Sequence, residues 1–237
     1  ASFLVGAGGG AAGAANSGLS LAAGCMLMGM GGGVLEGLAT AVLVELYPSR
    51  SKRVLNLSQV VFCVGAVGGP LVIGWLLPLG VSWRLCFVAL VVLCLGVLVL
   101  YGGSHLPRPA GGERLELRHL GPLLKRRSVV FLCLAILAYV FSEFCVIMYA
   151  NYYLHEVLGA PEGWAISSIS WVWFAMAIGR FACSCIPENH RSETYISLFA
   201  VGAALLMASQ WLTSDWRLSL ALFTVTGLLF AGTWPMI

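Results

Sequence analysis

The feature that most constrains this chain is a succession of long apolar segments separated by short polar turns. A helix needs about 20 mainly apolar residues to cross a bilayer. With 59% hydrophobic and only 10% charged residues, the chain also has too few charges to cover an ordinary soluble surface. We therefore predict an all-α, polytopic membrane protein with eight helical segments. They lie at about 3–16, 19–46, 54–78, 83–101, 129–154, 164–186, 195–212 and 216–237.

We expect the first and last of these segments to be incomplete, because the chain begins at Ala1 and ends at Ile237 inside apolar runs. We expect the sequence to be an internal part of a longer helix bundle, truncated at both ends. A polar, basic stretch containing Pro and Gly divides the segments into two groups of four. This predicts part of an N-terminal bundle at 1–101, a linker at 102–128 and part of a C-terminal bundle at 129–237.

The basic residues of the loops predict which side of the membrane the linker occupies. Cytoplasmic loops of membrane proteins are rich in Lys and Arg. One set of alternate loops contains ten such residues, against only Arg84 and Arg217 in the other set. The linker 102–128 is therefore predicted to be cytoplasmic. The ten residues are Arg50, Lys52, Arg53, Arg108, Arg114, Arg118, Lys125, Arg126, Arg127 and Arg191.

Three charged residues lie well inside predicted helices, namely Glu36, Glu143 and Arg180. A charged side chain at the centre of a membrane helix costs about 2.5–3.5 kcal/mol or more, so such residues are functional candidates. Glu143 follows Tyr139 by one turn, and it is a candidate for contact with a substrate or an ion. Arg180 is near the predicted cytoplasmic end of its helix, where a gating or packing role is favoured over substrate contact.

Glu36 shares one helix face with Gly29, Gly33 and Thr40. This small, mildly polar face suits an interior cavity or a close helix contact. A carboxyl in a low-dielectric site is able to take up a proton and become neutral. Glu36 is therefore predicted either to carry a proton or to form a structural ion pair, and the first interpretation is favoured.

Glycines recur in two of the predicted helices. Those at 29, 33 and 37 are spaced by four residues, a pattern that allows close helix packing. In the third segment glycines flank a proline, which has no amide hydrogen and favours a bend. The residues predicted to serve packing or gating are Gly65, Gly69, Pro70, Gly74 and Arg180.

The stretch 53–77 resembles the fifth helix of the major facilitator superfamily, whose Gly-Pro motif is matched by Gly65, Gly69-Pro70 and Gly74. The stretch 142–181 resembles helices seven and eight of related members, and 227–237 is similar to helix ten. The resemblance implies that the chain spans helices three to ten of twelve, and that helices four, seven and ten line a transport cavity. The implied cavity residues are Thr40, Gln59, Tyr139, Glu143, Asn151 and Trp173.

The stretch 35–59 resembles more specifically the fucose–proton symporter branch of that superfamily. Positions matching its basic-loop motif are Arg53, Asn56, Leu57 and Gln59. The helix-four acid of that branch is implicated in proton coupling, and Glu36 matches its position. An Asn-Pro pair of the branch is replaced by Thr40-Ala41, and a later polar Asn falls near Phe62 and Cys63. Both replacements remove polarity, which favours a less polar solute as an alternative to a sugar.

The expected function is secondary active transport of a small organic solute by alternating access, with symport of protons. The alternatives are an antiporter that exports a less polar or drug-like solute, and a membrane-embedded enzyme. An enzyme is disfavoured because all four histidines lie at or outside predicted helix ends and no metal-ligand spacing occurs. We expect no cofactor, no metal and no nucleic-acid partner. The protein is predicted to be a monomer in the cell or plasma membrane, with a solute, protons and the bilayer as its partners.

Overall fold

The computed structural model describes residues 1–76, 79–103, 122, 125–187 and 192–233. Most of the predicted linker at 102–128 lies outside these residues. The described part of the chain contains eight α-helices, one for each predicted segment, and so the predicted all-α class is confirmed. The helices are α1 (Ser2–Gly13), α2 (Gly18–Leu46), α3 (Ser51–Leu76), α4 (Trp83–Gly103), α5 (Arg127–Tyr152), α6 (Glu162–Ser184), α7 (Ser192–Ser209) and α8 (Trp216–Phe230).

Five helical stretches among the described residues are long and apolar enough to cross a membrane. α8 is apolar but shorter. α3 begins at Ser51, earlier than predicted, because a short 3₁₀ turn at Pro48–Arg50 leads directly into it, and it continues through Pro70. The five stretches are Gly18–Leu46, Trp83–Leu100, Arg127–Val157, Glu162–Ser184 and Ser192–Leu212.

The first of two compact units comprises Ala1–Leu46 and Pro70–Gly112. Within it, α1 packs against α2 and α4. Arg84, at the start of α4, connects this helix by hydrogen bonds to the turn between α1 and α2. Its Nη2 donates hydrogen bonds to the carbonyl of Ala15 at 2.9 Å and to Oδ1 of Asn16 at 3.3 Å.

The close approach of α1 and α2 depends on glycines other than those predicted. A Cβ added at Gly24 would lie 2.6 Å from the Ala12 nitrogen, and one at Gly31 would lie 2.7 Å from the Val5 nitrogen. By contrast, a Cβ at positions 29, 33 or 37 would have open space among the described residues. Among the described residues α1 covers the face of α2 that carries Gly24 and Gly31, two turns apart, and packing through the other three glycines stays a prediction.

The second unit comprises Tyr47–Gly69 and Glu113–Ile237. Within it, α8 packs against α6 and α7, and α5 packs against α6 and α8. Two glycines allow the closest approach of α6 and α8. A Cβ at Gly179 would lie 2.5 Å from the Leu228 carbonyl, and one at Gly227 would lie 2.6 Å from the Val172 carbonyl.

Residues 47–69 group with this second unit, although the sequence places them in the N-terminal bundle. Within this unit, Arg180 of α6 donates hydrogen bonds to the first half of α3. The division into an N-terminal bundle, a linker and a C-terminal bundle stays a prediction.

Candidate functional site

Four of the residues that the sequence singled out lie together in the second unit. They are Gln59 on α3, Tyr139 and Glu143 on α5, and Arg180 on α6, which we call the polar cluster. None of their side chains is more than about a tenth exposed. Burying charged groups is costly unless they are paired and hydrogen-bonded. Their mutual contacts therefore decide what the cluster can do.

Arg180 is the centre of the polar cluster. Its Nη1 donates to Oε1 of Gln59 at 2.9 Å, to the Gln59 carbonyl at 3.2 Å and to Sγ of Cys63 at 3.3 Å. Its Nη2 lies 3.9 Å from Oε1 of Glu143, close enough for electrostatic attraction but too far for a hydrogen bond. Its Nε has no hydrogen-bond partner among the described residues. The guanidinium thus binds α3 firmly and Glu143 loosely.

Tyr139 connects Glu143 to α8. The Tyr139 hydroxyl lies 3.1 Å from Oε1 of Glu143, one helical turn away, and 3.1 Å from the backbone carbonyl of Phe230. The rings of Tyr139 and Phe230 also meet edge to face, with 5.9 Å between their centroids. A carboxyl on α5 is therefore linked by one hydroxyl to the end of α8.

One face of α3 carries a polar stripe made of Asn56, Gln59 and Cys63, at spacings of three and four residues. All three are buried, and Nδ2 of Asn56 donates to the carbonyl of Lys52 at 2.8 Å. From the sequence, Cys63 was noted only as a position near which a polar Asn is replaced. It is buried, but its sulfur also accepts from Arg180. Its spacing of four residues from Gln59 places both side chains on one face of α3, but nothing in the sequence indicates the contact with α6.

Trp173 lies next to the polar cluster. Its ring contacts the ring of Phe62 edge to face, with 5.6 Å between the centroids. The Arg180 guanidinium carbon lies 6.0 Å from the centroid of the same Phe62 ring, at the outer limit for a cation–π contact. Phe62 therefore connects the polar cluster to Trp173. From the sequence, Phe62 was noted only as a position near which a polar residue is replaced.

Of the cavities that open among the described residues of the second unit, two are lined by predicted site residues. A cleft of about 410 Å³ lies between α5, α7 and α8, and its walls include Tyr139, Ser142 and Thr233 among alanines and larger apolar side chains. A smaller cavity of about 280 Å³ lies at the far end of α5 and is lined largely by polar side chains, with Asn151 among them. The two differ in chemistry, because the first is mostly apolar and the second is rich in carboxyl, imidazole and amide groups.

The other predicted site residues do not belong to the polar cluster. Glu36 and Thr40 are on α2 in the first unit, where Glu36 is exposed and Thr40 is half-buried. A Cβ added at Gly65 or Gly69 of α3 would have open space among the described residues. Pro70 and Gly74 belong to the same helix. The roles assigned to these residues stay predictions.

No group of three or more His, Cys, Asp or Glu side chains suited to hold a metal occurs in the described part of the chain. The cysteines described there are all free thiols.

Long apolar helices with buried charges define an integral, multi-pass membrane protein. A family model described as the Major Facilitator Superfamily matches residues 1–237, the whole chain. The chain belongs to this superfamily, which is a family of transporters and not of enzymes. The prediction of the superfamily from the Gly-Pro helix motif is confirmed.

Two curated relatives each match over 102 residues with 34% identity. Both are named "Multidrug resistance protein B homolog", from Mycobacterium tuberculosis strains CDC 1551 / Oshkosh and ATCC 25618 / H37Rv. The match covers 42% of this chain and 18% of each relative. The more specific resemblance to fucose–proton symporters is not supported by these comparisons. It depended on a few motif positions in the single stretch 35–59.

Proposed function

We propose that this protein is a proton-coupled antiporter that exports a less polar, drug-like organic solute by alternating access. The observation that carries the proposal is the cleft between α5, α7 and α8. Its volume of about 410 Å³ falls within the range of about 300–1,000 Å³ that is usual for small-molecule sites. Such sites are mostly apolar with a few placed polar groups, as this cleft is.

Tyr139 has a central place in this proposal because it belongs to both the cleft and the polar cluster. A solute in the cleft would contact the Tyr139 ring, whose hydroxyl is hydrogen-bonded to Glu143. A solute bound in the cleft would thereby affect the hydrogen bonding of the buried Glu143 carboxyl. Gln59, Trp173 and Thr40 are proposed to complete the solute path, and Glu36 to carry the coupled proton.

The hydrogen bonds between Arg180 and Gln59 are proposed to act as a gate. They join a helix from the predicted N-terminal half to one from the predicted C-terminal half. Alternating access moves such halves as rigid bodies around a central site. Breaking this contact would then be part of each transport cycle, and the glycines and proline of α3 would allow that helix to adapt. The multidrug name of the two relatives supports an export direction.

Transport in proteoliposomes tests the proposal. The purified protein is reconstituted, a pH gradient is imposed, and uptake of ethidium, a lipophilic cation, is compared with uptake of radiolabelled fucose. Ethidium accumulation that a protonophore abolishes is expected, with no accumulation of fucose. Failure to move ethidium and other apolar probes would contradict the proposed substrate class.

Sugar–proton symport is the second candidate, and the polar cavity at the end of α5 favours it. This cavity offers the hydrogen-bonding groups that a hydroxylated solute needs. They are the side chains of Asn151, Tyr152, His155, Glu156 and Glu162. Proton-driven accumulation of fucose but not ethidium, lost in Asn151→Ala, would favour this candidate. Asn151→Gln, which keeps the amide, is the matched control.

A further inference from the structure

The hydroxyl of Thr233 is buried without a hydrogen bond to any described residue. Thr233 follows α8 and lines the cleft between α5, α7 and α8, and it is only 7% exposed. Two threonines of α8, Thr224 and Thr226, each donate to the backbone carbonyl four residues earlier, at 2.8 Å. The Thr233 hydroxyl has no such partner within the described part of the chain. Because buried hydroxyls are normally hydrogen-bonded, this group points to a ligand in the cleft.

The close packing of the preceding residues fixes the position of Thr233. A Cβ added at Gly232 would lie 2.7 Å from Sγ of Cys183 on α6 and 2.8 Å from the Phe199 ring on α7. Ala231, one residue earlier, is fully buried. The chain beyond α8 is therefore held against two other helices, and Thr233 is presented to the cleft by a well-packed backbone.

The other hydroxyls of the cleft already have partners. Ser142 donates to a carbonyl of its own helix at 2.8 Å, and the Tyr139 hydroxyl is hydrogen-bonded within the polar cluster and to α8. The described residues that line the cleft include no charged side chain. A solute in the cleft therefore meets one hydroxyl that is available to it, that of Thr233, which is able both to donate and to accept.

Small side chains form two walls of the cleft. Each wall is a row of alanines at helical spacing, so that the row lies on one face of its helix. The Phe230 ring of α8 also lines the cleft, and aromatic rings prefer offset stacking or edge-to-face contact with one another. Two walls of methyl groups and an aromatic ring suit a planar aromatic solute. The alanines are Ala135 and Ala138 on α5, and Ala200, Ala203 and Ala204 on α7.

We propose that the cleft binds a planar aromatic solute that carries an amino or hydroxyl group, and that Thr233 recognises this group. The rings of the solute lie between the alanine walls, and its N–H or O–H donates to Oγ1 of Thr233. Thr233 is thus a specificity-determining residue, because it distinguishes such solutes from wholly apolar ones of the same shape. The inference rests on the proposed function, since it names the class of solute bound at the same site.

Equilibrium dialysis of the purified protein in detergent, with no gradient applied, tests this assignment. The ligands are ethidium, whose rings carry amino groups, and an analogue in which hydrogen replaces those groups. We expect the wild type to bind ethidium about twofold to tenfold more tightly than the analogue, as one neutral hydrogen bond allows. Thr233→Val, which keeps the shape but not the hydroxyl, should lose this preference, and Thr233→Ser should retain it. Thr224→Val is the matched control, because the Thr224 hydroxyl is bonded within α8.

A preference for ethidium that persists in Thr233→Val, or equal binding of both ligands by the wild type, would overturn the role of Thr233. Thr233→Ala provides the same comparison if Thr233→Val fails to fold. Ala200→Leu narrows the cleft and should weaken the binding of both ligands, and unchanged binding in that variant would show that the ligands bind elsewhere. These outcomes do not depend on proton coupling. A wild type that binds neither ligand would contradict the proposed substrate class as well.

Discussion

Nη1 of Arg180 on α6 donates a hydrogen bond of 2.9 Å to Oε1 of Gln59 on α3, a residue 121 positions earlier in the chain. The same guanidinium lies 3.9 Å from Glu143 on α5. One buried cation therefore faces both a neutral amide and an acid.

Loss of Arg180 is expected to destabilise the protein. Removing one member of a buried ion pair costs about 3–5 kcal/mol, because the other charge stays buried without its counter-charge. Arg180→Ala should therefore unfold at a markedly lower temperature in detergent than the wild type. The double variant Arg180→Ala/Glu143→Gln should recover part of this loss, since it has no carboxylate there. Equal destabilisation of the single and double variants would contradict the coupling.

The close contact of α6 and α8 predicts a second effect on stability. In Gly179→Ala the new methyl group would meet the Leu228 carbonyl and the Ala231 side chain, both at 2.5 Å. Overpacking of this kind costs about 1–3 kcal/mol, so the thermal midpoint should fall. Gly163→Ala, at an exposed position of α6 with open space among the described residues, is the control. An unchanged thermal midpoint in Gly179→Ala would contradict this, because it would show that α6 and α8 accommodate the methyl group without loss of stability.

The helices were predictable from the sequence because long apolar runs and polar turns are local features. Glu143 and Arg180 were identifiable for a related reason, as charges that are costly inside a membrane helix. The contacts of Arg180 were not predictable, because nothing local to Gln59 or Cys63 indicates a contact with a helix more than 100 residues away. On α2, glycines occur on several faces, and only the position of α1 reveals that Gly24 and Gly31 are the packed ones.

The role proposed for Glu36 makes a prediction about coupling. Glu36→Gln cannot release a proton, so accumulation of ethidium against its gradient under an imposed pH gradient should be abolished. Exchange of ethidium down its own gradient should survive, because it needs no net proton movement. Both are measured in proteoliposomes, with Glu45→Gln, at the end of the same helix, as the control. If Glu36→Gln still concentrates ethidium when only pH drives it, the proton is carried elsewhere.

The predicted orientation in the membrane is tested by a single cysteine. Gly112→Cys in a background without other cysteines should react with an impermeant thiol reagent only in inverted vesicles, where the cytoplasmic face is outside. The reason is the excess of Lys and Arg in the linker and in the loops on the same side. Ser82→Cys, in the turn before α4, should show the opposite pattern. Labelling of Gly112→Cys in intact cells would show that the orientation is the reverse of the one predicted.

The central claim is that this protein uses a proton gradient to move a less polar solute, and flux in both directions tests it most directly. The ethidium concentration and the internal pH are followed together in proteoliposomes that contain the purified protein. A single imposed gradient, of ethidium or of pH, is the only driving force in each experiment. The account predicts that an ethidium gradient alone drives protons the opposite way, and that an imposed pH gradient concentrates ethidium. Ethidium movement that neither changes the internal pH nor responds to a pH gradient would contradict it.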